Sequence, residues 1–428
     1  MRVSGWAGMA LLGCLVCNPA ASMQPVSDLP LESLGNERWL LPAGQYQGNF
    51  VIEQPMQLHC EEGARFDAGG KGHGLLIRAA KVRVEGCSFA NWGRSLTEMN
   101  SGVFVSAASH QASLLNNHLE GPGFGIWVDG ASDILIQGND ITGDAALRSQ
   151  DRGNGIHLYA VTGARVIDNR VRLTRDGIYI DTSNRNHLQG NVLEELRYGI
   201  HYMFSNDNRV IGNLTRGTRT GYALMQSRKL EVLNNRSVED QNYGILMNYI
   251  TYSTISGNQV VAVKSGSTGD SMISGAEGKA LFIYNSVFNR IENNLFAHSA
   301  LGIHLTAGSE DNQITGNAFV NNQHQVKYVA TRTQEWSDAS RGNYWSDYLG
   351  WDRNSDGLGD IPYEPNDNVD RLLWLYPQMR LLLHSPAIEL LRWVQQAFPV
   401  VKFPGVRDSY PLMEKPVWPE RASVYETD

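Results

Sequence analysis

His201, Met203 and Met225 are spaced for soft-metal chemistry in the middle of the chain. An imidazole with two thioethers favours Cu(I) over hard cations. A hard-cation pattern stands further on, where Asp352, Asn354, Asp356, Leu358 and Asp360 follow the spacing of a calcium loop with Gly357 at its sharp turn. Tyr363 occupies the position where such a loop carries a bidentate Glu, and no flanking helices are evident. That loop reads either as a structural Ca²⁺ site or as a cluster of Asx turns satisfying its own backbone. The first set works only if residues two apart share a face and residues 22 apart lie side by side.

A repeat supplies that geometry. Asn recurs at Asn117, Asn139, Asn169, Asn191, Asn213, Asn235, Asn258, Asn294 and Asn317, mostly at gaps of 22 or 23, and a Gly-Ile strand start follows about eight residues after most of them. The two long gaps, 30 and 36 residues, are one period plus an insertion. A period that survives insertions means stacked coils with loops let out between them. About 22 residues without a 3.6-residue apolar period suits three short strands per coil, so the fold expected is all-β, a right-handed parallel β-helix. Stacking at about 4.8 Å makes Ile156, Ile178, Ile200, Tyr222, Ile245 and Ile303 an internal ladder. The Asn column is expected to be a turn ladder in left-handed geometry, its amides bonding the next coil.

The chain divides accordingly. Residues 1–22 read as a secretory signal peptide, with Arg2, an apolar stretch through Val16 and small residues to Ser22. "LLGC" ending at Cys14 resembles a lipidation motif, whereas Ala20–Ser22 suits ordinary cleavage. Residues 23–330 are the β-helix, with polar or Gly-rich insertions at 144–154 and 264–279. Residues 331–365 bring Tyr344, Trp345, Tyr348 and Trp351 as a cap over the open core, beside the acidic loop. Residues 366–428 read as amphipathic, then Pro-rich; Leu372, Trp374, Leu382, Leu390 and Trp393 are too many large apolar groups for a solvated tail. Net charge is −8, with no Lys/Arg run, which argues against a general nucleic-acid binder. Cleavage leaves Cys60 and Cys87, 27 residues apart and so close to one coil. In an oxidising compartment they read as a disulfide, with a copper-binding thiolate pair as the alternative.

In each Gly-led strand the second and fourth residues after Gly face outward. The second column holds Trp127, His157, Tyr179, His201 and His304, and the fourth holds Asp129, Asp181, Met203 and Met225. A solvated strand face should carry Ser, Thr, Lys and Glu instead. Three readings follow: a sugar platform with Asp129 and Asp181 as paired carboxylates, a protein-docking face, or a soft-metal site at His201, Met203 and Met225. An outward Met is often simply covered by a loop.

The strings "GIHYMFSNDNRVIGN", "GYALMQSRKLEVLNN", "GAEGKALFIYN" and "GNYWSDYLGWDRNSDGLGDIPYEPND" resemble the NosD family, periplasmic β-helix proteins needed to mature nitrous oxide reductase. The likeness runs from about residue 28 to residue 412 and includes "LLLHSPAIELL". It implies a non-enzymatic subunit of an ABC transporter, partnered by a permease and an ATPase. Such a subunit would take copper from a periplasmic chaperone and pass it towards the copper-sulfur centre of the reductase apoprotein. Membrane association would then come through the permease, with residues 372–401 docking on it. The alternative is a periplasmic polysaccharide lyase or hydrolase, or a carbohydrate-binding β-helix protein. Against it, Asp129 and Asp181 are separated by a coil carrying Tyr159.

Overall fold

Apolar residues alternate with polar ones over runs of three to six residues, and residues that accept a positive φ break those runs. Each coil therefore folds as three short strands joined by tight turns. The computed structural model describes residues 23–265, 278–306, 308–329, 332–338, 340–365 and 405–418, with Ser385, Pro386 and Leu390 besides. Its strands collect into three sheets of 13 strands. Neighbours pair in parallel from coil to coil, apart from an antiparallel hairpin between Glu32–Gly35 and Arg38–Leu41 at the N-terminal end.

The first sheet carries the Gly-led strands. Ile156, Ile178, Ile200, Tyr222 and Ile245 stand in register and are fully buried. Burying one such Ile contributes about 1.5–3 kcal/mol. The next rung is Leu281, on strand Lys279–Tyr284, and Ile303 follows it. Glycine leads these strands because the coils approach closely there: a Cβ on Gly177 would sit 2.6 Å from the carbonyl oxygen of Gly199.

The Asn column is a buried ladder inside the coil. Asn191 donates through Nδ2 to the Val166 carbonyl (2.9 Å) and to Asn213 Oδ1 (2.8 Å), while its own Oδ1 accepts from the Asn169 backbone N–H and amide (3.0 and 2.9 Å). The expected left-handed geometry belongs instead to the residue before each ladder Asn, such as Asn116, Gly138, Asp168, Gly190 and Asn234. That residue makes the turn, and the ladder Asn is thereby directed into the core. Cys87 occupies the ladder position one coil below Asn117, donating its N–H to Asn117 Oδ1 (3.0 Å). Cys60 and Cys87 are disulfide-bonded, with an S–S distance of 2.01 Å.

The C-terminal end of the core is closed by stacked aromatics. Trp345 lies 4.4 Å from Phe319 and 4.6 Å from Tyr363, and Trp336 is buried against it. Trp351 stays outside the cap, exposed beneath Arg353. Residues 405–418 complete the cap, beyond the 372–401 stretch expected to dock. Strand Val406–Arg407 pairs with Gln334–Glu335. Buried Asp408 accepts from the Asn343 backbone N–H (2.7 Å) and from Trp345 Nε1 (2.8 Å). Asn343 itself is the last rung of the Asn ladder. Tyr363 and Asp408 exchange backbone hydrogen bonds at 2.9 Å, so the chain leaves the cap and returns to it at one point.

Candidate functional site

The outer surface of the first sheet carries the expected columns, and the register sets them side by side. Trp127, His157, Tyr179 and His201 stand on four successive coils, followed by Ala223 and Leu246. Phe282, on the coil the Gly-Ile pattern did not include, comes next, then His304. Beside them run Asp129, Tyr159, Asp181, Met203, Met225, Asn248 and Tyr284.

The second column is far less open than a docking face should be. Trp127, His157 and His201 are only 6–8% exposed, and Tyr179 and His304 are half-buried. The rings cover one another. Centroids are 3.9 Å apart from Trp127 to His157, 4.7 Å from His157 to Tyr179 and 4.3 Å from Tyr179 to His201. Coil spacing is close to ring-stacking distance, so aromatics in one column pack into a rod that excludes water. Burial lowers His157 to about 3 and His304 to about 3, leaving both imidazoles neutral at neutral pH. Burial, with Asp181 and Asp176 adding to it, pushes the Tyr179 phenol up to about 12.

His201 is held differently. Its Nδ1 lies 3.0 Å from Asp176 Oδ2, and Arg197 clamps the same carboxylate through Nε (2.8 Å) and Nη2 (2.6 Å). Burial opposes ionisation of Asp176, but the hydrogen bonds from His201 and Arg197 outweigh it and keep its pKa below the usual carboxylate value. An ionised Asp176 makes Nδ1 of His201 the donor. In the neutral ring the free lone pair then lies on Nε2, which is buried with no hydrogen-bond partner. A carboxylate behind one ring nitrogen, with the other unbonded, is how a metal-binding imidazole is fixed. Sequence reasoning missed Asp176 because it precedes Gly177 and so fell outside the columns counted from Gly. The signal available was its place one residue before that Gly.

Met203 and Met225 are register partners and both half-buried. The structure therefore brings the two thioethers onto neighbouring rungs, with His201 two residues before Met203 in the adjoining column. Met247 faces inward and is fully buried. Met272 lies outside the described residues.

The other expected sites fare unevenly. In the acidic loop Asp352 accepts from the backbone N–H groups of Ser355 (2.6 Å) and Gly357 (2.8 Å), Asp356 accepts from Leu358 N, and Asp360 from Arg353 N. These carboxylates hold the loop's own backbone, the Asx-turn arrangement. Among the described residues no three His, Cys, Asp or Glu side chains converge as a metal site. Of the apolar docking residues only Leu390 is described, and it is exposed. Leu372, Trp374, Leu382 and Trp393 lie outside the described residues.

The fold is a parallel β-helix that sets imidazole, thioether and aromatic groups side by side on one face. The chain belongs to the NosD family. The family model described as "Periplasmic copper-binding protein (NosD)" matches residues 137–350. A Stutzerimonas stutzeri protein named "Probable ABC transporter binding protein NosD" is 69% identical over 397 residues, 92% of this chain and 91% of that protein. One of the same name from Pseudomonas aeruginosa is 64% identical over 410 residues, 96% of each. Among solved structures, the A-module of the mannuronan C-5 epimerase AlgE6 from Azotobacter vinelandii is 10% identical, with 73% of this chain and 90% of that one covered at a TM-score of 0.48.

Proposed function

We propose that the protein is a periplasmic, non-enzymatic subunit of an ABC transporter that carries Cu(I) as cargo for the copper-sulfur centre of nitrous oxide reductase. The observation that carries this reading is the fixed His201, with Nε2 buried and unbonded, beside the in-register pair Met203 and Met225. One neutral imidazole and two thioethers hold a soft monovalent cation with little charge, which suits brief possession followed by release. The family description names copper and the periplasm, and the relatives' names supply the transporter. A copper chaperone would load this face, the reductase apoprotein would unload it, and residues 372–401 would hold the protein on the permease. The Asp176–Arg197 pair would keep His201 in the tautomer that binds. The enzyme reading lacks support at its proposed carboxylates, since Asp129 and Asp181 pair on opposite sides of Tyr159.

Anaerobic Cu(I) titration of the purified mature chain against a competing chelator tests the reading. The wild type is expected to take one equivalent tightly and the Met203→Ala/Met225→Ala variant to lose it. Equal binding by the two would place the copper elsewhere.

A further inference from the structure

Three arginines, 22 residues apart, precede the strands that bear the candidate site. Arg175, Arg197 and Arg219 come immediately before Asp176, Tyr198 and Thr220, which are in register on successive coils about 4.8 Å apart. Among the described residues Arg197 alone of the three has an anionic partner, Asp176, and both oxygens of that carboxylate are already engaged by Arg197 and His201. Arg175 and Arg219 make no ion pair among the described residues. Arg219 is exposed, whereas Arg175 is half-buried and its Nε is shut off from water with no hydrogen-bond partner. The Arg175 and Arg197 guanidiniums both lie near enough to the Tyr179 phenol to oppose the upward push on it.

A row of solvated arginines would leave every N–H in water. Here one N–H is withdrawn from water and unanswered by protein, a costly arrangement that turning the guanidinium outward to an acceptor would relieve. Beside the fork that Asp176 holds, the guanidiniums of Arg175 and Arg219 have no ion pair of their own among the described residues. Planar guanidinium forks match carboxylates and tetrahedral oxyanions.

We propose that Arg175, Arg197 and Arg219 form an oxyanion-binding site at the strand starts, separate from the thioether pair at the strand ends. Its ligand is a carboxylate or a tetrahedral oxyanion, drawn either from free solute or from an acidic side chain of a docked protein. Arg197 anchors the site, and Arg175 and Arg219 supply the free forks.

The test is thermal unfolding of the full mature chain with sodium sulfate or with N-acetylglutamate, each against sodium chloride at matched ionic strength. The site predicts a saturable rise in Tm with at least one of the two. Sulfate alone would identify a free tetrahedral oxyanion, and a response to N-acetylglutamate would identify a carboxylate ligand. Arg175→Gln and Arg219→Gln should each weaken the response about tenfold, and the double variant should abolish it, because each removes a charge-assisted hydrogen bond. Arg219 is exposed, so its substitution leaves folding intact. Cu(I) stoichiometry should stay at the wild-type value in these variants, whereas Met203→Ala/Met225→Ala should keep the anion response. If neither oxyanion acts beyond chloride, or if the double variant responds like the wild type, the site does not exist.

Discussion

Replacing Asp176 by Asn keeps the volume and removes one charge, which isolates what the carboxylate does for His201. Asp176 accepts three hydrogen bonds, from Arg197 Nε, Arg197 Nη2 and His201 Nδ1, at 2.8, 2.6 and 3.0 Å. An amide can accept on one oxygen only, so its NH₂ meets either Arg197 Nε alone or Arg197 Nη2 and His201 Nδ1 together. In both orientations a guanidinium N–H opposes a donor and Arg197 loses its counter-charge. In the second, Nδ1 must become the acceptor, and the ring proton moves to Nε2, where no cation can then bind. Breaking a fully buried pair costs about 3–5 kcal/mol, but the Arg197 side chain is 23% exposed and partly rescued by water. The stability loss expected for Asp176→Asn is therefore about 2–3 kcal/mol, read from urea denaturation. Loss of a carboxylate behind a metal-binding imidazole typically costs 10–100-fold in affinity, and chelator competition for Cu(I) should show a loss in that range. Asp176→Ala should destabilise more but weaken copper binding less, because His201 keeps free choice of tautomer. An Asn variant with wild-type copper affinity, or one weaker only in proportion to its instability, would refute the role assigned to Asp176.

Asn191→Ala removes four side-chain hydrogen bonds inside the coil and strands the Asn169 N–H. A loss of about 3 kcal/mol is expected, with faster hydrogen exchange confined to the flanking coils because a solenoid couples nearest neighbours; a loss below about 1 kcal/mol would show that the ladder adds little. Replacing residues 372–401 by a short Gly-Ser linker should leave the cap and Tm intact, since Tyr363 and Asp408 already meet, while abolishing co-purification with the permease. Retained co-purification would move the docking surface to the β-helix.

The fold was legible because a parallel solenoid writes its register into sequence spacing. Ile156, Ile178 and Ile200 are 22 residues apart and therefore adjacent rungs. The reading lapsed where the spacing was interrupted. Lys279–Tyr284 follows a long insertion and carries Ala280 in place of Gly, so Phe282 and Tyr284 were left out of the outward columns. Legibility also stopped at side-chain scale. Spacing placed the Asn column correctly from Asn117 to Asn317 and left out its last rung, Asn343. Whether the ladder residue or its predecessor takes the left-handed turn depends on where the core lies, and along that run the predecessor takes it. Asp408 could not be connected to Asn343 at all, since 65 residues separate them and no periodicity links them.

The outward columns were legible in the sequence, but their exposure was not. Columns of Trp, His and Tyr facing outward suggested a displayed surface, yet coil spacing lets such rings seal each other, and a stacked His is withdrawn by the neighbours that hold it rigid. Access must then come through the adjoining column. Met203 and Met225 remain half-open there, and Phe204, next in sequence to Met203, is 55% exposed in a left-handed conformation. Thr182 and Gln226 take the same left-handed turn on the neighbouring coils, so the turn belongs to the coil and only the exposed ring is particular to this one. The division of labour on this face follows: the buried column fixes one imidazole, and the half-open column offers the flexible thioethers through which a soft cation could arrive and leave.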